Sequence, residues 1–201
     1  MIIEAHKNWY ENERGITGET LEAFGVYSAN DEWLVMPYDT GDRSRKMVGE
    51  REFRFTSGAK VCLFHPQELD KNKSYCFLVE GESDTMRLWQ EGYKNVFGLA
   101  GFQNFRAELL KPLEQYERVF IVLDNDTNYN TRMTVDAAWG RMRGMLGSRA
   151  RRVVLPDDVK DICEFFASYT NDVFKSIVKE SLNGSYHYKA LDLSVPPPDY
   201  S

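Results

Sequence analysis

From residue 75 onward the chain alternates between short apolar runs and longer stretches in which apolar residues recur at helical spacing. YCFLV at Tyr75–Val79, NVFGL at 95–99, RVFIVL at 118–123 and RRVVL at 151–155 have the length of strands. The apolar residues in them are largely consecutive, which suits strands covered on both faces. Between them, helices are expected through Gln90, around 105–113 and around 132–146, with a last one over 161–169. Ser83 or Asp84 is expected to cap the first of these. Strands alternating with helices imply right-handed crossovers and an α/β architecture: a central parallel four-stranded sheet flanked by helices.

The first third of the chain follows a different pattern. Residues 1–30 suggest one or two short helices, with TGET at 17–20 offering a cap ahead of Leu21, Phe24 and Val26. Then WLVMPY, a DTGD turn and RSRKMVGEREFRF read as strands and a hairpin. The polar, turn-rich LDKNKS marks a boundary. The expected division is therefore a smaller α+β subdomain over 1–72, the α/β domain over 73–170, and a C-terminal helix with a proline-rich tail over 171–201.

Composition narrows the classes. No apolar run approaches membrane-spanning length, and the start MIIEAHKNWYENERG lacks a signal peptide's apolar core, so a cytoplasmic protein with no membrane partner is expected. Cys62, Cys76 and Cys163 are scattered in apolar contexts, which reads as reduced core residues rather than a zinc or disulfide framework. The formal net charge of -6 argues against non-specific phosphate binding. It is compatible with a nucleic-acid enzyme whose acids gather around metal ions. The basic residues concentrate in one region, at Arg43, Arg45, Lys46, Arg51, Arg54 and Lys60. Interleaved acids there leave a solvated sheet face and a phosphate-facing surface both open.

The acids carry the chemistry. The strand at Tyr75–Val79 stops at Glu80, Gly81 and Asp84, the third strand at Asp124 and Asp126, and the fourth leads to Asp157, Asp158 and Asp161. In a parallel sheet these strand ends lie along one edge, where ligands of open α/β sheets bind. Carboxylates converging there repel one another unless a cation or protons compensate. Oxygen ligands with room for water suit Mg²⁺ or Mn²⁺, so Glu80, Asp84, Asp124, Asp126 and at least one of Asp157, Asp158 and Asp161 read as a metal site.

VEGESD, followed about forty residues later by VLDND, resembles the paired signature of the Toprim domain. Within that superfamily the chain is similar to the primase half of bacteriophage primase-helicases and, more distantly, to bacterial replicative primases. ERGITGETLEAFGV, FRFTSGAKVCLFHPQEL and LPDDVKDICEF resemble further segments of those cores. The resemblance implies a Toprim fold and a nucleotidyltransferase: a DNA primase making short RNA primers on single-stranded DNA from nucleoside triphosphates. It implies Glu80 as the catalytic acid or base and Asp84, Asp124, Asp126 and Asp161 around the metals. It also implies Arg54 facing nucleotide or template, with Arg45, Lys46, Arg51 and Lys60 nearby.

The sequence departs from the family in four places. Pro66 stands where a second lysine is usual, the loop TNYNTR lacks the family's small residue and glycine, and neither a four-cysteine zinc ribbon nor a helicase segment is present. A replicative helicase or a separate zinc-ribbon protein is thus an expected partner. A metal-dependent Toprim nuclease acting on DNA or RNA and a non-catalytic replication accessory protein are the alternatives.

Overall fold

The structure, a computed structural model, describes residues 1–101, 105–125 and 129–183, with 129–132 described by backbone alone. Helices α1 (Glu4–Arg14) and α2 (Gly18–Ala23) open the chain. A meander of β1 (Tyr27–Ser28), β2 (Trp33–Tyr38), β3 (Gly41–Lys46) and β4 (Phe53–Phe55) follows, forming an antiparallel sheet in that order. The α2 cap is the expected one, since the Thr17 hydroxyl accepts the Thr20 N–H.

The second half comprises β5 (Tyr75–Val79), α3 (Glu82–Gln90), β6 (Val96–Gly98), a 3₁₀ segment at Ala107–Leu113, β7 (Arg118–Val122), α4 (Tyr129–Leu146), β8 (Ala150–Val153), α5 (Ile162–Ser168) and α6 (Asn171–Leu182). The sheet order is β6-β5-β7-β8 and every pairing is parallel. This is the expected four-stranded α/β sheet. Two local expectations are corrected. Residues 107–113 are 3₁₀ rather than α, in keeping with Pro112 inside the segment, which lacks an N–H to donate. The N-cap of α3 is Gly81, with no side-chain cap bond, so Ser83 and Asp84 lie inside the first turn.

The apolar strands are buried on both faces, and alternate residues serve two cores. Cys76, Leu78, Val119 and Ile121 pack with Val135, Ala138, Trp139 and Met142 of α4. Phe77, Val79, Phe120 and Val122 pack on the other face with Phe165, Phe166 and Phe174. A third core joins the N-terminal elements to the parallel sheet's helices, through Tyr10, Ile16, Leu21, Phe24 and Phe64 against Met86 of α3 and Cys163 of α5.

Helix α3 is also pinned by polar bonds. Arg87 donates to the Gly15 and Phe166 carbonyls (2.7 and 3.0 Å), and Gln90 donates to Gly15 and accepts from the Thr17 N–H. Gly15 ends α1 with φ +61°, and a Cβ there would fall 1.9 Å from an Arg87 guanidinium nitrogen. Glycine is therefore required by both backbone and neighbour. No helix among the described residues is long and apolar enough to cross a membrane.

Phe174 is the buried anchor of α6, fully enclosed by Phe77, Tyr93, Phe165 and Phe166. Phe174→Ala is expected to cost about 3–5 kcal/mol in urea-induced unfolding. A loss below about 1 kcal/mol would mean that α6 lies outside the cooperative core.

Candidate metal and nucleotide site

The carboxyl ends of β5 and β7 and the loop after β8 meet at one edge of the parallel sheet. Gly98, at the end of β6, faces the turn after β5, and a Cβ there would fall 2.3 Å from the Thr85 hydroxyl and 3.0 Å from the Gly81 carbonyl. The bare glycine lets β6 close against the Glu80–Gly81 turn. The Asp124 N–H donates to Glu80 Oε2 at 3.4 Å, which ties the two strand ends together. Asn125 ties the third: its N–H donates to the Lys160 carbonyl at 2.6 Å and its side chain to the Leu155 and Pro156 carbonyls.

These ends line a cavity of about 190 Å³. Glu80, Asp84, Asp124 and Asp161 are on its wall, and so are Arg14, Arg43, Arg45, Arg51 and Lys160. Of the acids expected to converge, these four do. Asp126 lies outside the described residues. Asp158 instead accepts the Tyr169 hydroxyl at an exposed position.

Burial sets the electrostatics. It pushes the Asp84 carboxyl well above the usual carboxylate range, and Asp124 and Asp161 push in the same direction. Asp124 is raised to about 7, by burial first and then by Glu80 and Asp161. Asp84 Oδ1 is buried without a hydrogen-bond partner among the described residues. An orphaned buried acceptor beside other carboxylates costs free energy that a cation relieves. The donor set therefore fits a divalent ion held by oxygen.

Among the basic residues, strand alternation decides which reach the cavity. Registers Leu34↔Arg45, Met36↔Arg43, Arg45↔Phe53 and Arg43↔Phe55 put Arg43 and Arg45 on the cavity face. Registers Trp33↔Lys46 and Ser44↔Arg54 put Lys46 and Arg54 on the other face. There Arg54 pairs with Glu52 and lies over the Trp33 ring at 4.3 Å. Lys60 is exposed and does not line the cavity. Of the five residues expected to contact nucleotide or template, Arg45 and Arg51 line the cavity and Lys46, Arg54 and Lys60 do not, Lys46 and Arg54 because neighbouring strand residues point to opposite faces.

Arg45 is buried, has no ion pair among the described residues, and rests on the Trp9 ring at 4.1 Å. Burial lowers its pKa, as do Arg51 and Arg14. Such an uncompensated guanidinium suits an anionic ligand. Arg43 is already engaged, in a buried ion pair with Glu82, whose carboxylate also accepts the Tyr38 hydroxyl. Arg14 of α1 donates to Asp161 Oδ2 at 3.2 Å. The site role of Arg43 was legible in principle, since RSR on a strand puts both arginines on one face. Nothing local signals Arg14, which is 147 residues from its partner.

Residues 77–166 match the Toprim-like family. No curated protein matches the chain by sequence. The fold is similar to the zinc-binding and RNA polymerase domains of the Aquifex aeolicus primase, with 18% identity, a TM-score of 0.68, and coverage of 86% of this chain and 55% of that one. It is similar to the DnaG primase catalytic domain bound to single-stranded DNA, with 17% identity, a TM-score of 0.64 and coverage of 96% and 80%. It also resembles a chain of the bacteriophage T7 lagging-strand DNA polymerase assembly, in which primase domains of two gp4 subunits are bound to an RNA/DNA hybrid and dTTP. There the identity is 20%, the TM-score 0.58 and the coverage 86% and 89%. The chain spans about half the length of the Aquifex structure. Residues 77–166 thus form a Toprim-like domain, within a chain that has the fold of primase catalytic cores.

Proposed function

We propose that the chain is a DNA primase core, a nucleotidyltransferase that makes short RNA primers on single-stranded DNA. The observation that carries this reading is one cavity lined by both carboxylates and guanidinium groups. That pairing suits a triphosphate whose charge is divided between cations and arginines. The similar DnaG domain is bound to single-stranded DNA, and the T7 assembly includes an RNA/DNA hybrid and dTTP. The likeness to the T7 assembly also favours the bacteriophage type, with a helicase or zinc-ribbon partner.

Asp84, Asp124 and Asp161 would hold Mg²⁺ or Mn²⁺, with Glu80 beside them. When bound, the ions supply positive charge to the attacking and leaving oxygens of phosphoryl transfer. Glu80, held at the β5 end by the Asp124 N–H, accepts the proton of the attacking 3′-hydroxyl at its carboxylate. Arg45 and Arg51 bind the nucleotide phosphates. Arg43, paired with Glu82, whose carboxylate also accepts the Tyr38 hydroxyl, keeps the basic sheet against the acid edge.

Labelled-nucleotide incorporation on single-stranded DNA tests the reading. Template- and metal-dependent product is expected, falling roughly 100-fold or more in Glu80→Gln and Asp124→Asn, with Arg45→Ala raising the KM for nucleotide. Cleavage of DNA or RNA with Mn²⁺ and no nucleotide would instead identify a nuclease. Metal uptake with neither activity would favour an accessory protein.

The acid cluster also predicts a pH dependence without metal. From about pH 4 to about 7, Asp124 is protonated in the folded chain and ionised in the unfolded one. The unfolded state then binds fewer protons, so this group's contribution to stability falls as pH rises through that interval. Asp124→Asn is expected to flatten the fall in a series of thermal melts, and added Mg²⁺ to stabilise wild type more at high pH than at low. A slope unchanged by the substitution would contradict the raised Asp124 pKa.

A further inference from the structure

Behind the acid wall of the cavity, the first turn of α5 brings a sulfur to the carboxylates. Asp161 caps α5 and Cys163 lies two residues further on. Asp84, Asp161 and Cys163 are all buried, and each offers a ligand atom within 4.8 Å of the other two. Asp84 Oδ1 is unpartnered among the described residues although no solvent reaches it, and Asp84 is only 8% exposed. Asp161 is fixed in place, with Oδ1 accepting the Glu164 N–H at 2.9 Å and Oδ2 the Arg14 guanidinium at 3.2 Å.

We propose that Asp84, Asp161 and Cys163 form a mixed oxygen–sulfur site that selects a thiophilic divalent ion, of the Zn²⁺ or Co²⁺ class, over Mg²⁺. This inference rests on the metal reading of the acid cluster, because it shares Asp84 and Asp161 with it, and it adds the sulfur. Mg²⁺ takes octahedral oxygen ligands and gains little from a thiolate, whereas Zn²⁺ and Co²⁺ accept sulfur and oxygen together at low coordination number.

Geometry and charge both permit the site. Zn–S is about 2.3 Å and Zn–O about 2.0–2.2 Å, so a tetrahedral ion sets its ligands roughly 3.5 Å apart. The three atoms need to draw in by at most about 1.3 Å, which side-chain rotation supplies. On binding, the Cys163 S–H bond breaks heterolytically, the proton leaves to solvent and the sulfur electron pair bonds the ion, with no change of oxidation state. Two carboxylates and one thiolate then balance the divalent ion and the Arg14 guanidinium, so the buried cluster is neutral. Such an ion occupies Asp84 and Asp161 and competes with Mg²⁺ for them.

Cobalt absorption of the full chain tests the site. Wild type with Co²⁺ is expected to show a near-ultraviolet sulfur-to-cobalt charge-transfer band that persists in Cys62→Ser and disappears in Cys163→Ser. The same Cys163→Ser change should weaken Zn²⁺ binding at least ~10-fold and Mg²⁺ binding less than ~2-fold. X-ray absorption of Zn²⁺-loaded wild type, which needs no variant, should show one sulfur bound to the ion. Zinc ligated by oxygen and nitrogen alone, or a cobalt band surviving in Cys163→Ser, overturns the inference while Mg²⁺ uptake leaves the oxygen site standing. Wild type that takes up neither Mg²⁺ nor Co²⁺ overturns both.

Discussion

Mutual repulsion among Glu80, Asp84, Asp124 and Asp161 is the constraint on which the rest of the molecule depends. A parallel sheet brings the carboxyl ends of its strands to one edge, and here an acid follows each of three strands. Burial sharpens the conflict, holding Asp84 and Asp124 above the usual carboxylate range. Such a cluster persists in a folded chain only where protons, guanidinium groups or metal ions offset it. Arg14 supplies part of that compensation from outside the parallel sheet, by its bond to Asp161.

This gives the N-terminal elements an electrostatic as well as a packing role. Tyr10, Ile16, Leu21 and Phe64 bury their apolar surface against Met86 and Cys163. The same contact brings Arg14 and Arg45 into the lining of the cavity that holds the acids. Helix α3 transmits the arrangement, because its first turn carries Glu82 and Asp84 and its last carries Arg87, which bonds to Gly15 and Phe166. The Glu82–Arg43 pair is a buried cross-link between the two sheets' elements. Removing one partner would leave an uncompensated charge, so the pair fixes relative position more surely than it adds stability.

The parallel strands were legible because their signal is local. YCFLV and RVFIV are apolar at successive positions, and only a strand covered on both faces tolerates that. Glu80 and Asp124 could be read for the same reason, since each directly follows such a run. The basic residues could not be sorted by composition. Arg45 and Arg54 look equivalent in a basic segment, yet β3 and β4 place them on opposite faces of the antiparallel sheet. The α3 cap was misplaced because an acid near a helix start reads as a cap, while Asp84 is turned toward its fellow acids.

By itself, then, the sequence determined the α/β class and the order in which acids follow the strands, both of which depend on residues close together in the chain. Tertiary structure alone decided which cations face them and what lies behind them. Arg14 and Asp161 are 147 residues apart, and Cys163, an apolar-context cysteine in the sequence, comes within reach of Asp84 only when α5 packs against α3. Contacts between distant segments are set by how helices and sheets bury their apolar faces, and no local pattern along the chain encodes which polar groups that burial will bring together.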